Sequence, residues 1–514
     1  MNEIYARAFC VQIWLGEVAF AGETLKCIEE AQEYFFPAEV RRLFLQPHAD
    51  INFSNYCHGL RARGLPTIFD MDLSPLRNLL QSPWWRRKWV IQEAVRAQRL
   101  LVVVGKAKVP FEVVMSLFER LALSGVDIAP PRLAAFEYTL TDVQANHEIS
   151  YRCARVIHGL RLPYKREDAG PILLLEFIHR TKYFQCSDMR DHIYAMLGLK
   201  WQRENEEFKF HPDYNESPEA TFTRFAIHML RMPEHPLHLL FFNSELQIPT
   251  NLELPSWVPD WTRLGGGQPL KSLPENSATP LFRATKDTSF QLKLNESELI
   301  LSFTGVRLDV IEANATTYIN WTQFQTDFQR TGLPESLLTD YKISRWYQEC
   351  KELAQSVCPN LKSELFHLTL VCGLHCSFKG DVVLFRAPNE HGKVLEHVMT
   401  SNANGVTCAL KGDYDTADEH FTARNPGLIL LQEVLDGFCL SRTFFTTKNG
   451  RIGQGPQYLK PGDIVCLFHG GSVPYILRPL ADNTFSFVGH CFVQGVMDGE
   501  GMDLGLAEEE FRVR

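Results

Sequence analysis

Residues 100–105, Leu-Leu-Val-Val-Val-Gly, place the tightest constraint on what this chain can fold into. A run apolar on both faces has to be covered from both sides, as the strands of parallel sheets are. It is far shorter than the roughly 18–20 residues a membrane-spanning helix needs. Helical spacing flanks it. Leu73, Leu76, Leu79 and Leu80 recur on one face, Pro83 opens a new helix, and WWRRKWVIQEAVRAQ continues helically to about 98. A further helix follows at about 110–123. Helix, buried strand and helix in this order predict an α/β layer.

The first residues, MNEIYARAFCVQIWLG, combine a helical pattern (Ile4, Tyr5, Ala8) with a short β-like run ending at Trp14-Leu-Gly. Helical segments are expected around 171–184 and 190–198. Ser217, Pro218 and Glu219 form a helix start, with a capping hydroxyl, a proline in the first turn and an acid at the positive end of the dipole. LPSWVPDWTRLGGGQP then reads as a linker or an ordered aromatic turn. Alternation in SFQLKLNESELILSFTGVRLDVI predicts a hairpin turning at Asn295-Glu-Ser-Glu, 335–375 reads as helical, and 437–498 as short strands. The expected organisation is a domain at 1–240, a Trp/Pro-rich crossing at 241–280 and a mixed α+β region at 281–514, ending in a β-rich unit at about 437–500.

Composition narrows the function classes. The 52 basic and 61 acidic residues give a net charge of −9 with no basic tract, which argues against a general nucleic-acid binder. The N-terminus has no cationic start followed by a long apolar core, so no secretory signal is read. With no apolar run of spanning length, a cytoplasmic protein without a membrane span is expected. Thirteen cysteines in 514 residues are too dilute for a disulfide scaffold and suit a reducing compartment.

The segment 84–105 carries the most chemical information. Trp85, Trp89 and Glu93 are spaced by four and so share one helix face. A carboxylate beside indole surface has its pKa pushed up, which suits acid–base or oxocarbenium-stabilising work. Arg86 and Arg87, near the start of this segment, suit a phosphate or simply a neighbouring acid. Read from the residues alone, a solvated or ion-paired surface glutamate is the favoured alternative.

In CSDMRDHIYAMLGL, 186–199, Asp188 suits a cap and Arg190 a tie between loops, a structural reading. PSWVPDW, 255–261, suits pinning of a chain crossing more than sugar or base binding. His367, Cys372, His375 and Cys376 fall within ten residues, whereas a structural zinc site usually pairs close ligands with a second, distant pair, so no metal site is assigned. GxGxxG after a strand, GxxxxGK[ST], GxSxG and HExxH are all missing. GRIGQGPQYLKPGD, 450–463, lacks a following helix and reads as turns.

Taken together, these segments resemble the fungal heterokaryon incompatibility (HET) domain family. MNEIYARAFCVQIWLG is similar to the family's IY…WLG block, SPWWRRKWVIQEAVRAQRLLVVVG to its arginine-tryptophan-V-x-Q-E block, and CSDMRDHIYAMLGL to its CSDPRDKIYALLGL block. HPDYNES, LPSWVPDWT and YLKPGDIVCLFHGGSVPYILRP resemble further blocks of full-length members. The family's YEALSYTWG-like and WIDAICINQ blocks would fall ahead of Met1, so a truncated HET domain with an unpaired sheet edge is expected.

The resemblance implies a part in fungal non-self recognition and programmed cell death. HET domains are distantly similar to TIR domains, several of which cleave the nicotinamide–ribose bond of NAD with a helix-borne glutamate. It therefore implies a TIR-like partial parallel sheet flanked by helices. NAD would be substrate rather than cofactor, Glu93 the catalytic carboxylate, and Trp85, Trp89 and Arg86 the substrate pocket. The alternatives are a non-enzymatic scaffold acting by self-association and an inactive truncated paralogue.

Overall fold

The computed structural model describes residues 2–16, 26–28, 72–123, 142–164, 174–199, 210–231, 236–242, 252–262, 270, 281–316, 335–377, 383–410, 439 and 442–514. The chain divides into two compact units, Met1–Glu207 and Phe208–Arg514.

The first unit opens with α1 (Asn2–Arg7) and β1 (Val11–Trp14), followed by α2 (Ser74–Leu79), a 3-10 turn (Pro83–Arg86), α3 (Val90–Arg96), β2 (Leu100–Val104), β3 (Ala107–Pro110) and α4 (Phe111–Leu123). Three further helices follow among the described residues, α5 (Asp142–Tyr164), α6 (Leu174–Arg180) and the single turn α7 (Asp191–Tyr194). β2 pairs with β1 in parallel, Val11 opposite Leu100 and Trp14 opposite Val103, and with β3 antiparallel. The continuous apolar run of β2 is thus the centre of a mixed α/β layer. Leu100, Val102, Val103 and Val104 are all buried; α4 lies where a helix was expected, and the short β3 precedes it in a stretch to which no element was assigned.

Helical spacing over 84–98 is interrupted in the structure. The 3-10 turn ends at Arg87, which is extended at φ −73° and ψ 129° and forms a parallel bridge with Gln185. The Lys88 N–H donates to the Gln185 carbonyl at 2.8 Å instead of continuing a helical ladder. Trp85 therefore does not share a helix face with Trp89 and Glu93. Bonding to a segment almost 100 residues away overrides the local period.

The second unit holds α8 (Pro218–Leu230), a 3-10 segment (Pro236–Phe242), β4 (Leu292–Asn295), β5 (Ile300–Asn314), α9 (Glu335–Val357), α10 (Ser363–Leu370), the hairpin β6 (Leu374–Ser377) and β7 (Val383–Arg386), and α11 (Asn389–Leu410). It ends in β8 (Arg442–Thr447), β9 (Ile452–Pro456), β10 (Ile464–Phe468), β11 (Tyr475–Pro479), β12 (Phe485–His490), β13 (Phe492–Val493) and β14 (Glu508–Val513). Ser217 caps α8 through its hydroxyl, which accepts from the Ala220 N–H at 3.2 Å. The β4–β5 hairpin turns at 295–298, where Asn295 Oδ1 accepts from the Ser297 N–H.

β5 organises the β-rich end. Its 15 residues pair in succession with β14, β10 and β8. Pairings β5–β10–β11–β12–β14–β5 return to their start, so five strands close into a ring. Closure removes exposed edges. Leu308, Val465, Ile476 and Val488 join Phe445 and Val493 in one buried apolar cluster, and Phe303, Phe468 and Tyr475 stack in sequence with centroids 4.4 and 4.8 Å apart.

Ile452–Pro456, read as turns from its glycines, is in fact a fully buried strand, β9. A Cβ on Gly453 would lie 2.4 Å from the Phe492 carbonyl oxygen, so the glycine serves strand contact rather than a turn. Trp257 and Trp261 are fully buried. Trp257 donates its indole N–H to the Leu299 carbonyl at 2.9 Å, and Trp261 meets Phe225 of α8 edge to face. The Trp-Pro crossing is thus pinned, as its composition suggests.

Candidate functional site

Glu93 lies in the middle of α3, half-buried. Tyr5 of α1 donates its hydroxyl to the Glu93 carboxylate, and the Arg87 guanidinium acts on the same group. Burial pushes the Glu93 carboxyl above its usual range, while Arg87 and then Tyr5 hold it down. The same burial and the facing carboxylate raise the Tyr5 phenol. A carboxylate with a donor and a cation beside it, partly withdrawn from water, can hold hydroxyl groups or face a developing positive charge.

The other sequence candidates are distributed around it. Trp89 leads into α3, half-buried, with its indole N–H on Asp191 Oδ2 at 2.9 Å. Trp85 is fully buried. Its N–H is taken by the Leu79 carbonyl at 2.6 Å, and its ring packs against Trp84 and Phe111. Arg86 is half-buried at the end of the 3-10 turn, in the field of the Cys153 thiol. Tyr5 and Arg87 are therefore the immediate neighbours of Glu93. Sequence reasoning gave Tyr5 no chemical role, because nothing local signals that α1 folds against α3.

The segments 85–96 and 181–198 interlock, and this holds Glu93 in place. Besides the Arg87–Gln185 bridge and the Trp89–Asp191 bond, Lys88 Nζ donates to the Thr181 carbonyl and hydroxyl. Gln92 Nε2 donates to the Ala195 carbonyl at 2.7 Å and Arg96 Nη1 to the Gly198 carbonyl at 3.1 Å. Arg161 of α5 closes the C-terminal end of α3, donating to the carbonyls of Ala94 and Ala97 while pairing with Glu112. These carbonyls are the ones a helix end leaves without a partner.

Asp188 accepts from the Arg190 N–H and guanidinium, which hold its carboxyl below the usual range. The Asp188–Arg190 pair therefore orders the turn into α7. Burial pushes the Lys88 ammonium down to about 7 and His192 down to about 3.

His367 of the FHLTLVCGLHC segment is buried, sharing a hydrogen with the Tyr347 hydroxyl at 2.8 Å and with the Ser363 carbonyl at 2.7 Å. Cys372 is buried, and His375 packs edge to face on His391. The side chain of Cys376 lies outside the described residues. Among the described residues, no group of three or more His, Cys, Asp or Glu is placed to hold a metal ion. Nor, among them, is any helix long and apolar enough to cross a membrane.

The α/β unit carries the interlocked blocks, and the second unit ends in a closed β ring. The chain belongs to the heterokaryon incompatibility family. Residues 1–93 match the family described as heterokaryon incompatibility protein (HET), and residues 434–513 match the Het-6 beta-barrel domain. Heterokaryon incompatibility protein 6, OR allele, of Neurospora crassa is 42% identical over 479 residues, which span 84% of this chain and 67% of that protein. No solved structure matches the chain. The barrel match begins at residue 434, yet the ring also requires β5, which lies more than 100 residues earlier.

Proposed function

We propose that this chain acts in fungal non-self recognition as a heterokaryon-incompatibility effector, working in the cytoplasm and leading to cell death by cleaving the nicotinamide–ribose bond of NAD at Glu93. The observation that carries the reading is the half-buried Glu93 carboxylate with the Tyr5 hydroxyl and Arg87 beside it. Its place on a helix leading directly into the central strand β2 also suits a TIR-like arrangement.

In this mechanism Glu93 accepts hydrogen bonds from the ribose hydroxyls. As the glycosidic C–N bond breaks, nicotinamide leaves with the bonding electron pair and its ring becomes neutral. The ribosyl group is left as an oxocarbenium-like cation facing the carboxylate. Water adds to that carbon and loses a proton, giving ADP-ribose. Tyr5 and Arg87 favour the ionised carboxylate this requires, against burial. Trp89 shapes the edge of the pocket, Trp85 supports it from the core, and Arg86 supplies positive charge for the diphosphate.

The test is nicotinamide release from NAD by the purified full chain at high protein concentration. Release that disappears in Glu93→Gln is expected. No release at any concentration, or release unchanged in Glu93→Gln, overturns the reading.

A second reading, a scaffold acting by self-association, draws on the exposed Ile4, Phe9 and Trp14, three large apolar side chains within the first 14 residues. Sedimentation velocity of the wild type and of Phe9→Ser/Trp14→Ser tests it. A shift from oligomer to monomer supports the scaffold, and an unchanged monomer removes it.

A further inference from the structure

The three-stranded sheet of the first unit has two unlike faces. Pairing sets Trp14, Val103 and Lys108 in one row across β1, β2 and β3, and Gln12, Leu101 and Pro110 in the next. Residues opposite one another in neighbouring strands point to the same side of a sheet. The other side carries Ile13, Leu100, Val102 and Val104, all buried. On the first side Val103 is buried and Leu101 half-buried, but Gln12, Trp14, Lys108 and Pro110 are exposed.

Two aromatic rings stand in water on this face. Trp14 is 53% exposed and Phe9, just ahead of β1, is 76% exposed. Arg99 lies two residues before Leu101, on its side by strand alternation, with its guanidinium over the Phe9 ring at 5.2 Å from the centroid. Lys106 is exposed in the turn between β2 and β3.

Charge here runs against that of the whole protein. Residues 9–16 and 98–110, which build the face, include Arg99, Lys106 and Lys108 and no Asp or Glu, in a chain of net charge −9. Glu112, the next acid along the chain, is paired with Arg161. Among the described residues Arg99, Lys106 and Lys108 make no ion pair. Exposed aromatic rings beside uncommitted cations suit an anionic membrane, where the rings settle at headgroup level and the cations meet lipid phosphates. A second copy docked face to face would instead set these cations against one another.

We propose that this face docks peripherally on an anionic phospholipid surface. Trp14 and Phe9 enter the headgroup layer, and Arg99, Lys106 and Lys108 meet the phosphates. Two rings and three cations give reversible attachment, not insertion.

Flotation of the purified full chain with lipid vesicles tests this. Binding is expected to phosphatidylcholine vesicles holding about 30% phosphatidylserine, not to phosphatidylcholine alone, and most of it is lost at about 0.5 M salt. Lys106→Gln with Lys108→Gln weakens binding about tenfold or more. Both positions are exposed, and Lys108→Gln alone is the second variant should the pair lose the native thermal midpoint. Brominated lipid quenches tryptophan emission in the wild type, and Trp14→Phe loses most of that quenching while still floating. Glu93→Gln floats like the wild type, so failure of the NAD reading leaves this one intact. Equal flotation with both vesicle types, no flotation at low salt, indifference to the paired Gln substitutions, or full quenching in Trp14→Phe each overturns the proposal. An oligomer that Phe9→Ser/Trp14→Ser dissociates, with no flotation of the wild type, gives the face to a second copy and overturns it as well.

Discussion

Lys88 Nζ donates to both the carbonyl and the hydroxyl of Thr181, each at 2.9 Å, in a fully buried position. The first unit thus carries an ammonium bonded to uncharged oxygens, next to a residue that stands beside Glu93. Burial lowers its pKa to about 7 from the ordinary 10.5. Between those values the unfolded chain holds a proton that the folded one has released, so stability rises with pH. Cys153 and Cys186, raised to about 12 and about 11, reverse the trend above about 9, because there the folded state keeps protons that the unfolded thiols lose. His192, lowered to about 3, acts only below its ordinary 6.5, where stability is lost as the pH is lowered. The window from pH 7 to 9 therefore isolates Lys88. The urea midpoint of the first unit's transition should climb across it in the wild type and stay flat in Lys88→Met. Parallel curves in the two proteins would remove the Lys88 assignment.

The bond between Trp89 Nε1 and Asp191 Oδ2 ties α3 to the turn at 186–199. Trp89→Phe keeps an aromatic ring but deletes the donor, and should cost about 1–2 kcal/mol as a charge-assisted hydrogen bond. A double-mutant cycle with Asp191→Ala should return a coupling of similar size. Additive effects would mean that the two residues do not interact in solution.

Tyr5 and Arg87 both oppose the rise in the Glu93 pKa. Tyr5→Phe and Arg87→Ala should each move the Glu93 titration further upward in carboxyl carbon NMR, and on the proposed reading nicotinamide release at neutral pH should fall in step. This makes the two residues positioning groups. A Glu93 titration unmoved by either substitution contradicts that role, whatever happens to activity.

In the β ring, Arg478 donates to both oxygens of Asp463, at 2.8 and 2.9 Å, and to the Tyr458 carbonyl at 2.9 Å. Asp463 is buried, and removing its partner strands a charge out of water. Arg478→Ala should destabilise the second unit by roughly 3–5 kcal/mol, whereas Asp463→Asn with Arg478→Met should recover most of that loss. Equal instability of the single and double variants would place the cost elsewhere.

Position 305 tests ring closure directly. A Cβ on Gly305 would lie 2.1 Å from the Leu467 carbonyl oxygen, across the β5–β10 pairing. Gly305→Ala must push these strands apart, so hydrogen-exchange protection at Val306 and Leu467 should fall. Unchanged protection would mean that the strands are not in close contact there.

Several features were legible because their causes are local. Residues 100–104 are apolar on both faces, and β2 became the central strand. Ser217 followed by Pro218 started α8 by capping chemistry that needs no distant partner. Asn295 turned the β4–β5 hairpin with its own side chain. The family resemblance rested on short blocks of this kind.

Other features depend on partners remote in the chain. Helical spacing through Arg87 was overruled by the backbone of Gln185. The glycines at 453 and 455 looked like turn residues because their reason, the Phe445 ring and the Phe492 carbonyl, comes from other strands. Nothing local to Lys88 signals that it is buried, because its partner, Thr181, lies 93 residues away.

By itself the sequence determined the elements whose causes are local, such as the buried strand β2, the cap of α8 and the β4–β5 turn, since these follow from side-chain period and local hydrogen bonding. Tertiary structure alone decided that Tyr5 meets Glu93, that the 85–96 and 181–198 segments lock together, and that β5 closes a ring with strands more than 100 residues later. Such pairings are set by loop closure and by burial of facing surfaces, quantities that no local window of sequence contains.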